Sequence, residues 1–329
     1  MHGMTPQLHG MKQYTLMYIG VAMALMFILM ANTAQAKTFN VAIISSGANQ
    51  IYTKIIGIIK KSASQKNKPF LTFTTYFADH LLTTDNDEIS NADLLVTVGK
   101  RAMIAAAQRQ SSPPILATLV PRQSFERYHS ALASSNIKVS GIYIDPPPIK
   151  QIILAKLLLG NLQTVGILLS KDFTPDAQQI NNIIKEAGLN ANILTVNPAD
   201  NIIRKLSRLI SISDVLLALP DPLIINRKNA RDILLTTYRK HIPVIGFSAN
   251  YVKAGALAAV FSTPEQIAIQ TGKTILDILN PASYFPMGGR YPDQFKVGIN
   301  RNVAHSLGIS VPDTSTIKKA LESMLTEYK

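Results

Sequence analysis

Three stretches come close to a catalytic signature, and each lacks the residue its chemistry needs. Gly272-Lys273-Thr274 has the end of a phosphate-binding loop, but Ile267 stands where that loop requires its first glycine. Gly246-Phe247-Ser248-Ala249-Asn250 has a serine placed as in a nucleophile elbow, with Asn250 where the closing glycine belongs. After the first apolar run, Ser45-Ser46-Gly47-Ala48-Asn49-Gln50 lacks the glycines of a dinucleotide fingerprint. The six histidines (His2, His9, His80, His129, His241, His305) show no metal-ligand spacing. Neither metal chemistry nor nucleophilic catalysis is expected, and no cofactor.

What remains is a set of polar turns at the ends of apolar runs. Ser45, Ser46 and Gly47 offer hydroxyl and backbone N–H groups to a polar ligand, or else form a helix cap and turn. Thr97-Val98-Gly99-Lys100-Arg101-Ala102 places two cations in a first helical turn, against the helix dipole. An anion held there by Gly99, Lys100 and Arg101 explains that arrangement; side chains pointing into water explain it equally. Asp221 sits between Pro220 and Pro222, where it meets a ligand ammonium or hydroxyl, or caps the next segment. Ser248, Asn250 and Tyr251 follow the apolar run Ile242–Phe247, and the Tyr251 ring is suited to cover an apolar ligand. Tyr76, Phe77 and Phe173 occupy similar turns but fit a lobe core better than a ligand clamp.

The elements that position these turns alternate. Strands are expected at 39–45, 70–76, 94–98, 115–119, 139–144, 164–169, 192–196, 214–219, 244–247 and 256–261. Helices are expected between most of them, at 50–64, 101–108, 149–159, 175–187, 201–210, 226–240 and 264–279. Near-continuously apolar strands alternating with helices predict parallel sheets covered on both faces. So many strands divide more easily into two sheets than one, and Asp145-Pro146-Pro147-Pro148 marks the break as a stiff extended connector. No internal repeat or low-complexity tract interrupts the pattern.

The first 36 residues look like an export signal: Lys12, an uncharged run Leu16–Ala31, and Ala34-Gln35-Ala36 as a cleavage site. That run is shorter than the ~18 apolar residues of a membrane span, although an uncleaved anchor stays open. Met1, Met4 or Met11 serves as the start. The chain has no cysteine, so it relies on its cores rather than disulfides and carries no lipidated cysteine. The formal net charge is +13, spread along helices rather than gathered in a tract. Export argues against nucleic acid as the partner.

The segment from Ile242, with Lys253-Ala254-Gly255-Ala256-Leu257-Ala258 and Gln270-Thr271-Gly272-Lys273, resembles the ABC-transporter substrate-binding proteins of the tryptophan/tyrosine-binding type. Ser140-Gly141-Ile142-Tyr143, Thr164–Leu169 and the ending Val297–Pro312 extend the likeness over roughly residues 39–325. The resemblance implies two α/β lobes, each a mainly parallel sheet flanked by helices, joined by crossover segments around an interlobe cleft. The first lobe is expected from 37–145 and about 264–296, the second from 146–263, with 297–329 packing across both. It also implies backbone donors to a ligand carboxylate near Gly99 and a polar cleft residue near Asp221. Lys100 and Arg101, and the prolines around Asp221, depart from that pattern. The implied function is periplasmic capture of a small ligand, an amino acid or other small carboxylate first, for an ABC permease. The chain is then a monomer without catalysis. A sensing or accessory subunit is the alternative, and an enzyme a more distant one.

Overall fold

The computed structural model describes residues 38–64, 70–81, 89–109 and 112–328. The export segment, with Met1, Met4, Met11, Lys12, Leu16–Ala31 and Ala34–Ala36, lies outside them, as do His2 and His9. From Phe39 onward the chain forms one compact unit containing two six-stranded sheets. No described helix is long and apolar enough to cross a membrane.

The first sheet has strands β1 (Thr38–Ser45), β2 (Phe70–Phe77), β3 (Leu94–Val98), β4 (Ile115–Val120) and β5 (Val139–Tyr143). A late strand, β11 (Gly288–Arg290), adds to β5, giving the order β11-β5-β4-β3-β1-β2. β3 is buried along its whole length, as expected of a central strand covered on both faces. β2, at the edge, alternates between exposed and half-buried positions. The helix Gln50–Ala63 starts at Asn49, whose side chain accepts the Ile51 and Tyr52 N–H groups, and buries Ile55, Ile56, Ile59 and Ala63. The helix Arg122–Ser134, which the sequence pattern does not predict, fixes Phe125 and Leu132 deep in the core.

The second sheet uses β6 (Thr164–Ser170), β7 (Asn190–Val196), β8 (Val215–Leu217), β9 (Val244–Gly246), β10 (Ala258–Phe261) and β12 (Lys296–Ile299). Its order is β12-β10-β9-β8-β6-β7, parallel except for β12, which pairs antiparallel with β10. The helix Pro148–Leu158 is apolar nearly all round and lies in this core, with Ile152, Ile153, Leu154 and Leu158 all buried. Its first residue is the last of the three prolines, a position where the missing N–H is no loss. Ala304, Ile317 and Leu321 of the C-terminal segment join this second core.

The chain passes between the sheets three times, at 144–147, at 262–263 and at 291–295. Ser262 Oγ donates to the Gln294 carbonyl at 2.6 Å, tying the second and third passages together, and the Asp293 N–H donates to Gln270 Oε1 of the helix Pro264–Leu279 at 3.0 Å. After the second passage the helix Pro264–Leu279 returns to the first sheet and packs on Gln50–Ala63. A full capping box, Thr263 with Gln266, sets its start. Gly272 sits at the crossing, where an added Cβ would stand 2.5 Å from Ser62 Cβ and 2.7 Å from the Ile59 carbonyl oxygen. Gly272-Lys273-Thr274 is therefore a helix–helix contact, not a phosphate loop.

Gly272→Ala is expected to lower stability by about 1–3 kcal/mol through overpacking, despite alanine's better helix propensity. Urea denaturation checks this; equal or higher stability in the variant contradicts the close crossing.

Candidate functional site

The carboxyl ends of the central strands of both sheets meet at a cavity of about 550 Å³. One wall is Pro121, Ile144 and Asp145, from the ends of β4 and β5. The opposite wall is Pro220, Phe247, Ser248, Ala249 and Asn250, after β8 and β9. The second passage closes one side, together with Phe261 before it and Pro264 and Glu265 after it. Crevices beyond the carboxyl ends of parallel strands are the usual ligand positions of open α/β sheets. At the end of β4 the pairing with β5 shifts between Thr118 and Val120, and Leu119 takes φ 54°. That bulge holds a bulky residue in a left-handed conformation directly before the cavity wall, as strained residues at functional sites do.

Asp145 is the most informative group on this wall. It is buried, and its Oδ2 accepts the Arg122 N–H at 2.5 Å. Burial pushes its carboxyl pKa up to about 6, against the opposing pull of that N–H and of the Arg122 charge. Glu265, the other acid on the lining, accepts from Lys54 Nζ at 2.9 Å, a bond that holds its pKa below the ordinary range. Beyond Asp145 and Pro220 lies a second, smaller cavity of about 190 Å³, walled largely by Pro146–Pro148, Phe173, Ile180 and Tyr291. Near it the lobes touch: Gln123 Nε2 donates to the Asp172 carbonyl at 3.0 Å, and Arg127 stands 3.8 Å from the Asp172 carboxylate.

Of the residues singled out in the sequence, Ser248 and Asn250 line the larger cavity. Tyr251 does not. Ser248 accepts the Tyr251 N–H at 3.2 Å and so starts the helix Ala249–Ala254, which turns the tyrosine inward. Its ring stacks on Phe247 at 5.7 Å within the second core, and burial drives its pKa well up. The aromatic residues of the lining are instead Phe247 and Phe261. Asp221 is also buried, with Oδ2 accepting the Ser170 N–H at 2.6 Å and Oδ1 the Leu223 N–H at 3.0 Å. Both oxygens thus tie backbone turns together, and the neighbouring Pro220 lines the cavity instead.

Ser45, Ser46, Gly47, Gly99, Lys100 and Arg101 come together at the ends of β1 and β3, outside the cavity lining. Ser45 Oγ donates to the Gly47 carbonyl at 2.6 Å. Ser46 Oγ accepts the Ala102 N–H at 2.9 Å and caps the helix Lys100–Ala107. Gly99 has φ 88°, and an added Cβ would stand 2.7 Å from Ser46 Oγ, so its lack of a side chain admits this cap. Arg101 pairs with Asp79, and Lys100 is exposed. The two cations therefore have solvent and a carboxylate to answer them without a bound anion. Among the described residues no cluster of His, Asp and Glu is arranged to hold a metal.

The chain matches the model of the ABC transporter substrate binding protein family over residues 81–323. It belongs to that family. Solved structures agree on the fold of these binding proteins. A ligand-free, open substrate binding protein with adhesive properties from Clostridium difficile is 18% identical with TM-score 0.63, covering 84% of this chain and 96% of its own. A conserved domain protein from Vibrio cholerae is 20% identical with TM-score 0.57, covering 86% and 98%. An ABC domain in complex with L-Trp from Streptococcus pneumonia is 18% identical with TM-score 0.56, covering 85% and 98%. A search of curated proteins gives no match.

Sequence reasoning missed Asp145, Phe247, Pro121 and Ile144. Asp145 was legible as the residue before three prolines at the lobe crossing, where a carboxylate is held rigidly at the cleft.

The folded-state pKa of Asp145 lies above its ordinary value of 3.8, so its ionisation opposes folding. The penalty is absent below the lower value and complete above about 6. Asp145→Asn is expected to gain roughly 1–3 kcal/mol on wild type between about pH 4 and about pH 8. Urea denaturation at both pH values checks it; a difference independent of pH contradicts it.

Proposed function

We propose that this protein captures a small solute in the larger cavity by closure of its two lobes and delivers it to an ABC permease. An amino acid or other small carboxylate is the first class to test. The observation that carries this reading is the cavity of about 550 Å³ with walls from both sheets, at the crossing of three connecting passages. That volume suits a small metabolite. Mechanistically, a solute touching both walls favours the closed arrangement by its extra contacts there, and no bond is made or broken. The protein is a carrier, not an enzyme.

Phe247 offers a ring face to an apolar part of the solute, and Ser248 and Asn250 offer hydrogen bonds. The L-Trp bound by the Streptococcus pneumonia structure makes an aromatic amino acid the first solute to try. Closure would bring the β1 and β3 ends, with Ser45–Gly47 and Gly99–Arg101, nearer the solute, since β3 lies beside β4 in the sheet. The protein is read as exported to the periplasm as a monomer, with the signal removed after Ala36.

Native mass spectrometry of the protein purified from the periplasm is expected to show a bound small solute. Phe247→Ala with Asn250→Ala is expected to reduce its occupancy at least about tenfold, a loss of ~1.4 kcal/mol or more. A protein that carries no solute, and whose melting temperature no amino acid or small carboxylate shifts, contradicts the reading.

A further inference from the structure

The larger cavity is electrostatically unlike the rest of the protein. The chain carries a formal net charge of +13, yet no lysine or arginine among the described residues lines this cavity. Its charged lining groups are two carboxylates. Lys54 answers Glu265 at 2.9 Å. Asp145 accepts a backbone N–H on Oδ2 with the Arg122 charge beside it, and Arg122 lines the smaller cavity rather than the larger one. The neutral polar groups are few: Ser248 and Thr263 each accept a helix-capping N–H, Ser262 donates to the Gln294 carbonyl, and Asn250 is exposed. A solute bearing a carboxylate alone would find hydrogen-bond donors on this lining but no cationic residue among the described ones, and would face two acids whose cations stand behind the wall.

Resting on the solute-binding function proposed above, we infer that the solute carries a protonated nitrogen that seats against Asp145. Asp145 is then the residue that selects amines and amino acids against simple carboxylates and sugars. Closure strengthens the pairing, because removing water from the cleft lowers the effective dielectric around it. A carboxylate on the same solute is held by neutral donors and stays a secondary feature. The raised pKa of Asp145 fits this arrangement, since a bound cation restores the charge that burial disfavours. The competing role, a turn held by the Arg122 N–H, needs only an acceptor oxygen, which asparagine also supplies.

The test has two parts. The solute released from the purified full chain is identified by mass spectrometry. L-phenylalanine, phenethylamine, 3-phenylpropionate and glucose are then titrated into solute-free wild type and Asp145→Asn. A released solute with a basic nitrogen is expected. So is binding of the two nitrogen-bearing probes at least about tenfold tighter than 3-phenylpropionate, with that preference lost in Asp145→Asn. The variant's melting temperature when empty, at or above wild type at neutral pH, shows that its fold is kept. A released solute without basic nitrogen overturns the inference and leaves solute binding standing. So does 3-phenylpropionate or glucose binding as tightly as phenylalanine, or an unchanged preference in the variant. No released solute and no probe binding overturns both.

Discussion

Three passages of chain between two sheets are the constraint on which the molecule depends. They hold the carboxyl ends of both sets of strands around one cavity. The passages are not independent strings. Ser262 is hydrogen-bonded to Gln294, linking the second to the third, and Asp293 to Gln270, linking the third to the helix Pro264–Leu279. The first is stiffened by Pro146, Pro147 and Pro148, which fix backbone angles and leave few internal motions. Domain closure about such a hinge is a rotation with few degrees of freedom, the kind that a modest number of solute contacts can bias.

The sequence made the alternating framework legible because strands covered on both faces must be apolar throughout. β1, β3 and the helices Gln50–Ala63 and Pro264–Leu279 follow directly from that rule. It failed where tertiary context does the work. Arg122–Ser134 is polar enough to hide its period, and β11 is three residues whose strand character comes from pairing with β5. The polar turn after β9 looked open, but a serine cap converts it into a helix that buries Tyr251. The same kind of capping absorbs Ser46, and backbone bonds absorb both oxygens of Asp221. Polar residues at strand ends serve turns as readily as ligands, and sequence alone does not separate the two.

Asp145 shows the reverse case. Its setting among prolines reads as connector chemistry, while folding places its carboxylate at the wall of the cavity. A buried acid whose ionisation opposes folding is a local sacrifice of stability, and such sacrifices gather at functional sites. The surrounding positive charge is spread over exposed helix faces, so the acidic cavity is a local feature rather than a reflection of the whole chain.

The central claim is that the two lobes close on a small solute held between them. Small-angle X-ray scattering of the solute-free chain, before and after adding back the solute released from it, tests this most directly. A smaller radius of gyration with solute is predicted. Saturated binding with the scattering curve unchanged would contradict closure.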